Sequence, residues 1–362
     1  MNKKFSNIEK NISNKFSKQN SLLTRNGTTA IWLLLMALGL KQKKIIVPSN
    51  ICFVVNSAII LSNNFVHFID IDDNYSLDPN KLKKLENEDI GAIIYPHMYG
   101  NIGNIEEIVS LAKKNNWIII EDVCQALGSS KDGKYAGSFS DYAITSFGIG
   151  KIIDMGIGGV LSTNSDRIYY EAIKINNRLQ FYDKKLDIAS RDFSMRYDSL
   201  VNNVDDKRFL HKTGEPLIRA FKDIFIHKLN LNKYPIKKLE NELKKLNSTV
   251  EIRNNNATLF QNVLDVNYIK PLVHNEGSTY WRQNILVSKE RDQLLEFLKN
   301  NGIKASKYFP SIDKYFYYSE DNKFKNSTKM EKQIINLWTG KETRIQDITY
   351  IHKVIKNYYK SS

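Results

Sequence analysis

Residues 142–163, YAITSFGIGKIIDMGIGGVLST, hold two β-rich runs, YAITSF and GGVLST, on either side of a glycine-punctuated loop that carries one lysine, Lys151. Lys and Arg make up 53 of the 362 residues, so a lone basic side chain in this apolar stretch stands out. A buried ammonium is costly to keep charged and readily gives up its proton. It is therefore either matched by an anion or used as a nucleophilic amine.

Outward from this stretch, residues 28 to about 180 alternate between helical periodicity and short β-rich runs. A helix at TTAIWLLLMALGL precedes a strand at KIIVP, a helical stretch over 52–61 and a strand at FVHFIDI. A helix at DPNKLKKLEN, a strand at IGAIIYP, a helix at NIEEIVSLAKKNN capped by Asn104, and a strand at WIIIED follow. A helix over about 166–179 comes after GGVLST. Apolar strands separated by helices predict a largely parallel sheet covered on both faces, with ligands gathered beyond the carboxyl ends of the strands. The middle, 181–250, is less regular and more basic, and EPLIRAFKDIFIHKL spaces Ile218, Phe221, Phe225 and Leu229 as a helix packed on the domain. From about 251 onward, helices alternate with strands at STYWRQNILVS and IKASKYF, which predicts a smaller α+β unit.

The net charge of +14 favours an anionic partner such as a phosphorylated small molecule. No groove-reading motif or aromatic platform supports nucleic acid as that partner. Cys52 and Cys124 lie in apolar segments without a disulfide framework or metal-ligand spacing, and no metal site is expected. The longest apolar runs, AIWLLLMALGL and ICFVVNSAIIL, are shorter than the roughly 20 residues a membrane span needs. A soluble cytoplasmic protein is the expectation.

Several side chains could carry chemistry. Asp122 closes the strand WIIIED at the rim where ligands bind, although a helix-capping Asp would occupy the same place. A carboxylate that keeps a pyridine nitrogen protonated, facing a lysine that attaches to an aldehyde, is a recognisable pair. Gly27, Thr28 and Thr29 in RNGTTA offer amides and hydroxyls to a phosphate at a helix start, and Ser146 adds another hydroxyl. His97 in YPHMYGN is either a polar contact in the site or a structural histidine. GIGK is not a phosphate loop, because Thr145 and Ile152 stand where that motif needs Gly and Ser or Thr; a GxGxxG dinucleotide fingerprint fails at Ile153.

In this order, NGTTAIWLLLMALGL, IIVPSN, FIDID, YPHMYGN, IIIEDVCQALGSSKDGKYAGSFSDYAITSFGIGK and GIGGVLST resemble the DegT/StrS family of pyridoxal phosphate-dependent sugar aminotransferases. The segment RDQLLEFLKNNGIKASKYFP resembles that family's small domain. The resemblance implies the fold type I architecture, a large cofactor-binding domain over 1–250 with an atypical insertion at about 201–235, and a small C-terminal domain over 251–362. It implies that Lys151 is the attachment lysine, Asp122 the partner of the pyridinium nitrogen, Gln125 the side chain beside the ring, Ser146 a phosphate ligand, and Gly27 with Thr28 the phosphate cup. Cys52 falls in the slot of the aromatic that stacks on the cofactor. The family segment GYNYRMSEL, whose Asn reaches the phosphate from the neighbouring subunit, aligns with DFSMRYDSL and puts Ser194 in the Asn place. Ile152 and Ile157 replace a usual Asn and Glu. Substrate contacts are expected from His97, Arg196, Trp281, Arg282 and Tyr308. The implied activity is transfer of an amino group from glutamate or glutamine to a nucleotide-linked keto sugar, by a homodimer with shared active sites, for polysaccharide or glycoside synthesis. The alternatives are a sugar dehydratase using the pyridoxamine form, in which the family has His at the lysine position, and a non-catalytic relative.

Overall fold

Strands form where Ile and Val are concentrated between turn residues, because β-branched side chains suit a pleated surface buried on both faces. The computed structural model describes residues 3–203, 210–264, 267–316 and 323–361. Its strands in the first half are β1 (Asn20–Thr24), β2 (Lys44–Pro48), β3 (Phe65–Ile69), β4 (Ile90–Pro96), β5 (Ile118–Asp122), the short hairpin β6 (Ser130–Lys131) and β7 (Lys134–Tyr135), β8 (Tyr142–Ser146) and β9 (Gly159–Thr163). All but the hairpin join one seven-stranded sheet in the order β1-β9-β8-β5-β4-β2-β3. The pairs β3/β2, β2/β4, β4/β5 and β5/β8 are parallel, while β9 runs antiparallel to both β8 and β1.

The pleat divides the core in two. Ile46, Ile93, Ile119, Ala143 and Val160 face one layer, formed with α1 (Lys3–Lys15), α4 (Pro79–Lys83) and α5 (Ile105–Lys114). Their neighbours Ile45, Ile94, Ile120, Ile144 and Leu161 face the other, formed with α2 (Gly27–Ala37), α3 (Phe53–Leu61) and α6 (Asp166–Arg178). This alternation is the period-2 geometry of a strand buried on both sides.

The middle of the chain forms α7 (Leu186–Asn203), α8 (Gly214–Ala220), α9 (Ile236–Lys244) and α10 (Leu246–Leu264). Residues 204–209 of the expected insertion lie outside the described residues. The helix expected over EPLIRAFKDIFIHKL stops at Ala220 and passes into a single 3-10 turn, yet Ile218, Phe225 and Leu229 are all buried. The remaining chain forms β10 (Ile269–Pro271), β11 (Gln283–Val287), α11 (Arg291–Asn300), β12 (Ala305–Ser306), α12 (Lys325–Gln333), β13 (Ile334–Leu337) and α13 (Ile345–Ser361). Its strands make an antiparallel sheet in the order β10-β11-β13-β12. α10 runs through the expected domain boundary at residue 250. Its start, Leu246, packs in the large unit, whereas Phe260 and Leu264 pack under the small sheet.

Two local expectations change. Asn104 does not cap α5 with its side chain; Tyr95 donates to its Oδ1, and its Nδ2 donates to Asp72 and to the Leu77 carbonyl. The strand expected at STYWRQNILVS begins only at Gln283, because the preceding backbone turns to the large unit, where the Trp281 N–H donates to the Tyr99 carbonyl. Among the described residues, no helix is long and apolar enough to cross a membrane.

The amino-terminal helix generates a stability prediction. Ile8, Ile12 and Phe16 are buried along one stripe of α1, and Glu9 lies beside them, accepting a hydrogen bond from the Leu23 N–H at 2.9 Å. Burial pushes the Glu9 carboxyl up from 4.5 to about 7, against the pull of that N–H. Between those two values the unfolded chain releases this proton first, so stability falls as pH rises and levels off above about 7. Glu9→Gln keeps the acceptor oxygen and removes the ionisation. Relative to wild type it should gain up to about 3 kcal/mol on going from pH 5 to pH 8. Urea denaturation at both pH values measures this, and an equal difference at the two would refute it.

Candidate active site

Adjacent residues of a strand point to opposite faces, and β5 ends with two carboxylates. Glu121 has no exposed side-chain surface and accepts hydrogen bonds from the Gly137 and Ser140 N–H groups at 2.7 and 2.8 Å, with His97 Nε2 at 3.1 Å. Burial raises the Glu121 carboxyl, but these partners and the Lys18 charge outweigh burial and hold it below its usual value. The other ring nitrogen of His97 lies 3.2 Å from the Ile102 carbonyl. His97 is therefore corrected from a substrate contact to a structural histidine: both nitrogens are engaged within the protein and its side chain is fully enclosed. Asp122 takes the other direction, and its Oδ1 accepts the Cys124 N–H at 2.9 Å.

The start of α2 lies against this strand end. Asn26 caps the helix by accepting the Thr29 N–H at 2.7 Å, which leaves Gly27 and Thr28 in the first turn. A Cβ on Gly27 would sit 3.1 Å from Cys124 Sγ and 3.3 Å from Ser146 Cβ, so glycine keeps a cradle open between the helix start and the end of β8. Gly159 does the same on the other side, since a Cβ there would run into the Asn26 backbone. The helix start presents backbone N–H groups, with Thr28 in its first turn and Ser146 against Gly27, and groups of this kind can meet an oxyanion.

Lys151 follows β8 in a loop held from several sides. Phe147 N–H donates to the Gly158 carbonyl, Met155 N–H to the Phe147 carbonyl, and Lys151 N–H to the Gly148 carbonyl. Asp154 accepts the Gly150 and Gly156 N–H groups at 2.7 and 2.9 Å. Gly150, at φ +75°, makes the left-handed turn just before the lysine. Ile152 and Ile153 anchor the loop in the core.

The two thiols show how these parts converge. Burial pushes Cys52 and Cys124 above the usual thiol range, and both feel the Lys151 ammonium and the Asp122 carboxylate. Cys124 also feels Cys52. Tyr308, about half exposed, has its phenol raised by burial with Asp198 and Cys52 nearby. Gln125 Oε1 accepts the Tyr99 N–H at 2.9 Å and fixes the turn beside the strand ends.

Ser194 and Arg196 do not join the chain's own site. They lie on the outer side of α7, with Ser194 donating to the Ser190 carbonyl and Arg196 bonded to Asp192. The same helix instead sends Tyr197 inward: its ring is 4.6 Å from that of Phe53, and Cys52, Tyr315 and Tyr308 lie near its hydroxyl. Tyr234 is a second residue that the sequence reading missed. Its hydroxyl donates to the Ile157 carbonyl at 3.2 Å, and it precedes α9 with aliphatic residues at Ile236 and Leu239.

The small unit reaches the same loop. Trp281 Nε1 donates to the Gly150 carbonyl at 2.7 Å, and Arg282 lies 3.4 Å from the same oxygen. Trp281 also stacks on Phe309 at 5.9 Å. The structure thus brings Lys151, Asp122, Gly27, Thr28, Ser146, Cys52, Gln125, Trp281, Arg282 and Tyr308 to one region at the carboxyl ends of the strands.

The chain is similar to several known proteins. GDP-perosamine synthase of Escherichia coli O157:H7 is 25% identical over 362 residues, 98% of this chain and 90% of that protein. GDP-4-keto-6-deoxy-D-mannose 3-dehydratase of Yersinia pseudotuberculosis is 25% identical over 317 residues, 82% of this chain and 75% of that protein. The solved structure of Helicobacter pylori PseC, an aminotransferase involved in pseudoaminic acid biosynthesis, superposes with a TM-score of 0.80 at 19% identity, over 99% of this chain and 92% of that one. The profile of one family matches residues 1–356, and the chain belongs to that family, the DegT/DnrJ/EryC1/StrS aminotransferases.

Proposed function

We propose that the chain is a pyridoxal phosphate-dependent aminotransferase that moves an amino group from glutamate or glutamine to a nucleotide-linked keto sugar, in polysaccharide or glycoside synthesis, and that it acts as a homodimer in the cytoplasm. The observation that carries this reading is the convergence of Lys151 and Asp122 on Cys52 and Cys124, beside a glycine-opened helix start. The residues fit the cofactor: the space at Gly27, which a Cβ would fill, is lined by Ser146 and suits a phosphate. When bound, the cofactor supplies an aldehyde that joins to amines and a ring that accepts electrons as a neighbouring carbon loses its proton.

The chain's own groups supply the rest. Gly27 N–H, Thr28 and Ser146 would hold the phosphate, and Asp122 would keep a proton on the ring nitrogen. Lys151 Nζ would be the covalent attachment point and, when free, the group that would move a proton away from the donor's α carbon in one half-reaction and a proton onto the acceptor's carbon in the other. Gln125 would lie beside the ring, Cys52 would offer a thiol where an aromatic would stack, and Tyr308 with Tyr197 would wall the same side. The net charge of +14 suits a substrate bearing two phosphates. Lys151 itself favours transfer over dehydration, since the family's dehydratases resemble it with His at this position.

Purified protein supplied with pyridoxal phosphate should show a visible absorption band that glutamate converts to the pyridoxamine spectrum, and Lys151→Ala should form neither normally. A Lys151→Ala protein with full transamination would refute the assignment; ammonia release with loss of a substrate hydroxyl and no amine transfer would favour the dehydratase. Gly27→Val should weaken cofactor binding at least ~10-fold, about 1.4 kcal/mol, with an unchanged far-ultraviolet circular dichroism spectrum. Unchanged affinity in a fluorescence titration would remove the phosphate from α2.

A further inference from the structure

Two buried guanidiniums stand behind the lysine loop. Arg253, on α10, is 6% exposed, and Arg282, just before β11, is 3% exposed. Among the described residues neither forms a salt bridge, and the Nε–H of each is enclosed without a hydrogen-bond acceptor. Both donate through Nη1 to one carbonyl, that of Trp281, at 3.1 and 2.8 Å, which sets two like charges side by side. Burial lowers both arginines, and the Arg253 charge lowers Arg282 further, to about 10. The nearest carboxylates, Glu342 and Asp154, favour the charged forms from a distance, but among the described residues neither forms a salt bridge with these arginines. Asp154 is bound to the Gly150 and Gly156 amides, and the exposed Glu342 lies against Gly340.

Buried cations without an anion are unfavourable, and a fold that keeps two of them together is built to receive one. The shape of the site says how. The faces of Arg282 are covered by the Trp281 and Trp338 rings, at 4.7 and 4.1 Å from the guanidinium carbon. Of its in-plane N–H edge, Nη1 is taken by the Trp281 carbonyl and Nη2 donates to the Gly150 carbonyl at 3.4 Å, which leaves the Nε–H as the nitrogen without an acceptor; such an edge pairs with carboxylate or phosphate oxygens. The edge also abuts the Gly150 carbonyl, one residue before Lys151.

We propose that Arg282 and Arg253 form an oxyanion subsite, closed by Trp281 and Trp338, that receives an acidic group of a substrate bound at Lys151. The proposal rests on the aminotransferase reading of the site. Two sources provide such a group: the carboxylate of a dicarboxylic amino donor and the diphosphate of a nucleotide-linked acceptor.

Calorimetric titration of the cofactor-loaded protein with glutarate and, separately, with GDP tests the subsite without turnover. Wild type should bind at least one of these probes, and Arg282→Met should weaken that binding at least tenfold. Arg282→Lys should recover part of it through charge alone, and Arg253→Lys should weaken it as well. Loss confined to glutarate places the donor carboxylate there; loss confined to GDP places the acceptor diphosphate there. If Arg282→Met does not fold, the two lysine variants carry the comparison. The proposal is overturned if neither probe binds wild type, or if all folded variants bind as wild type does at matched salt. Arginine-dependent binding in a protein that never transfers an amine would overturn the function instead and leave the subsite standing.

Discussion

The pleat of one strand sets the terms for the whole site. β5 ends with two consecutive carboxylates, and alternation sends Glu121 into the protein and Asp122 to the ligand rim. A fully enclosed carboxylate is tolerable only with donors around it. Glu121 obtains them from the Gly137 and Ser140 amides, the His97 ring and the nearby Lys18 charge. Those bonds tie the hairpin between β5 and β8 and the turn after β4 to one strand. Shifting β5 by a single residue would exchange the two carboxylates and undo both arrangements at once.

The lysine loop is the second half of that design. Its strand, β8, is parallel to β5, so Lys151 and Asp122 leave the sheet at the same edge. The loop then depends on contacts from distant segments: Asp154 gathers its own amides, Tyr234 holds the Ile157 carbonyl, and the Trp281 indole holds the Gly150 carbonyl. The small unit therefore fixes the backbone next to Lys151. A movement of β11 against the large sheet would be transmitted through this indole to Lys151.

Much of this was legible in the sequence because it is written in short-range pattern. β2, β4 and β5 are near-continuous Ile and Val runs, and α2 starts at an Asn-Gly-Thr signal, so the strand edge that gathers the site could be placed from residues alone. α1 was missed because its stripe of Ile8, Ile12 and Phe16 is diluted by lysines and asparagines, and it is held by burial against the sheet rather than by propensity. β13 is four residues long and depends on pairing with β11 and β12. The role of His97 was undecidable locally, since its partner Glu121 lies 24 residues away. Tyr197 faces the site because α7 packs Phe193 on Phe53, a contact between segments more than a hundred residues apart. Arg253 drew no notice because it sits in an Asn-rich helix, and its meaning appears only with Arg282 beside it.

The departures from the family pattern can be weighed on the same physical terms. Ile152 and Ile157 replace polar residues around the lysine, and both turn toward the core, Ile152 fully buried and Ile157 packed against it. Full burial of such a side chain contributes roughly 1.5–3 kcal/mol, which Ile152 approaches and the partly buried Ile157 falls short of, against about 0.5–1.5 kcal/mol for a hydrogen bond that an Asn or Glu would make. The loop thus exchanges directional anchoring for apolar anchoring, while Asp154 supplies two amide contacts from within. Cys52 follows a similar logic: a small thiol stands in the aromatic slot, and Tyr197 from α7 packs over the neighbouring Phe53 to fill that side. These substitutions leave Lys151, Asp122 and the glycine at the start of α2 in place. What they alter is the packing around Lys151 and Cys52.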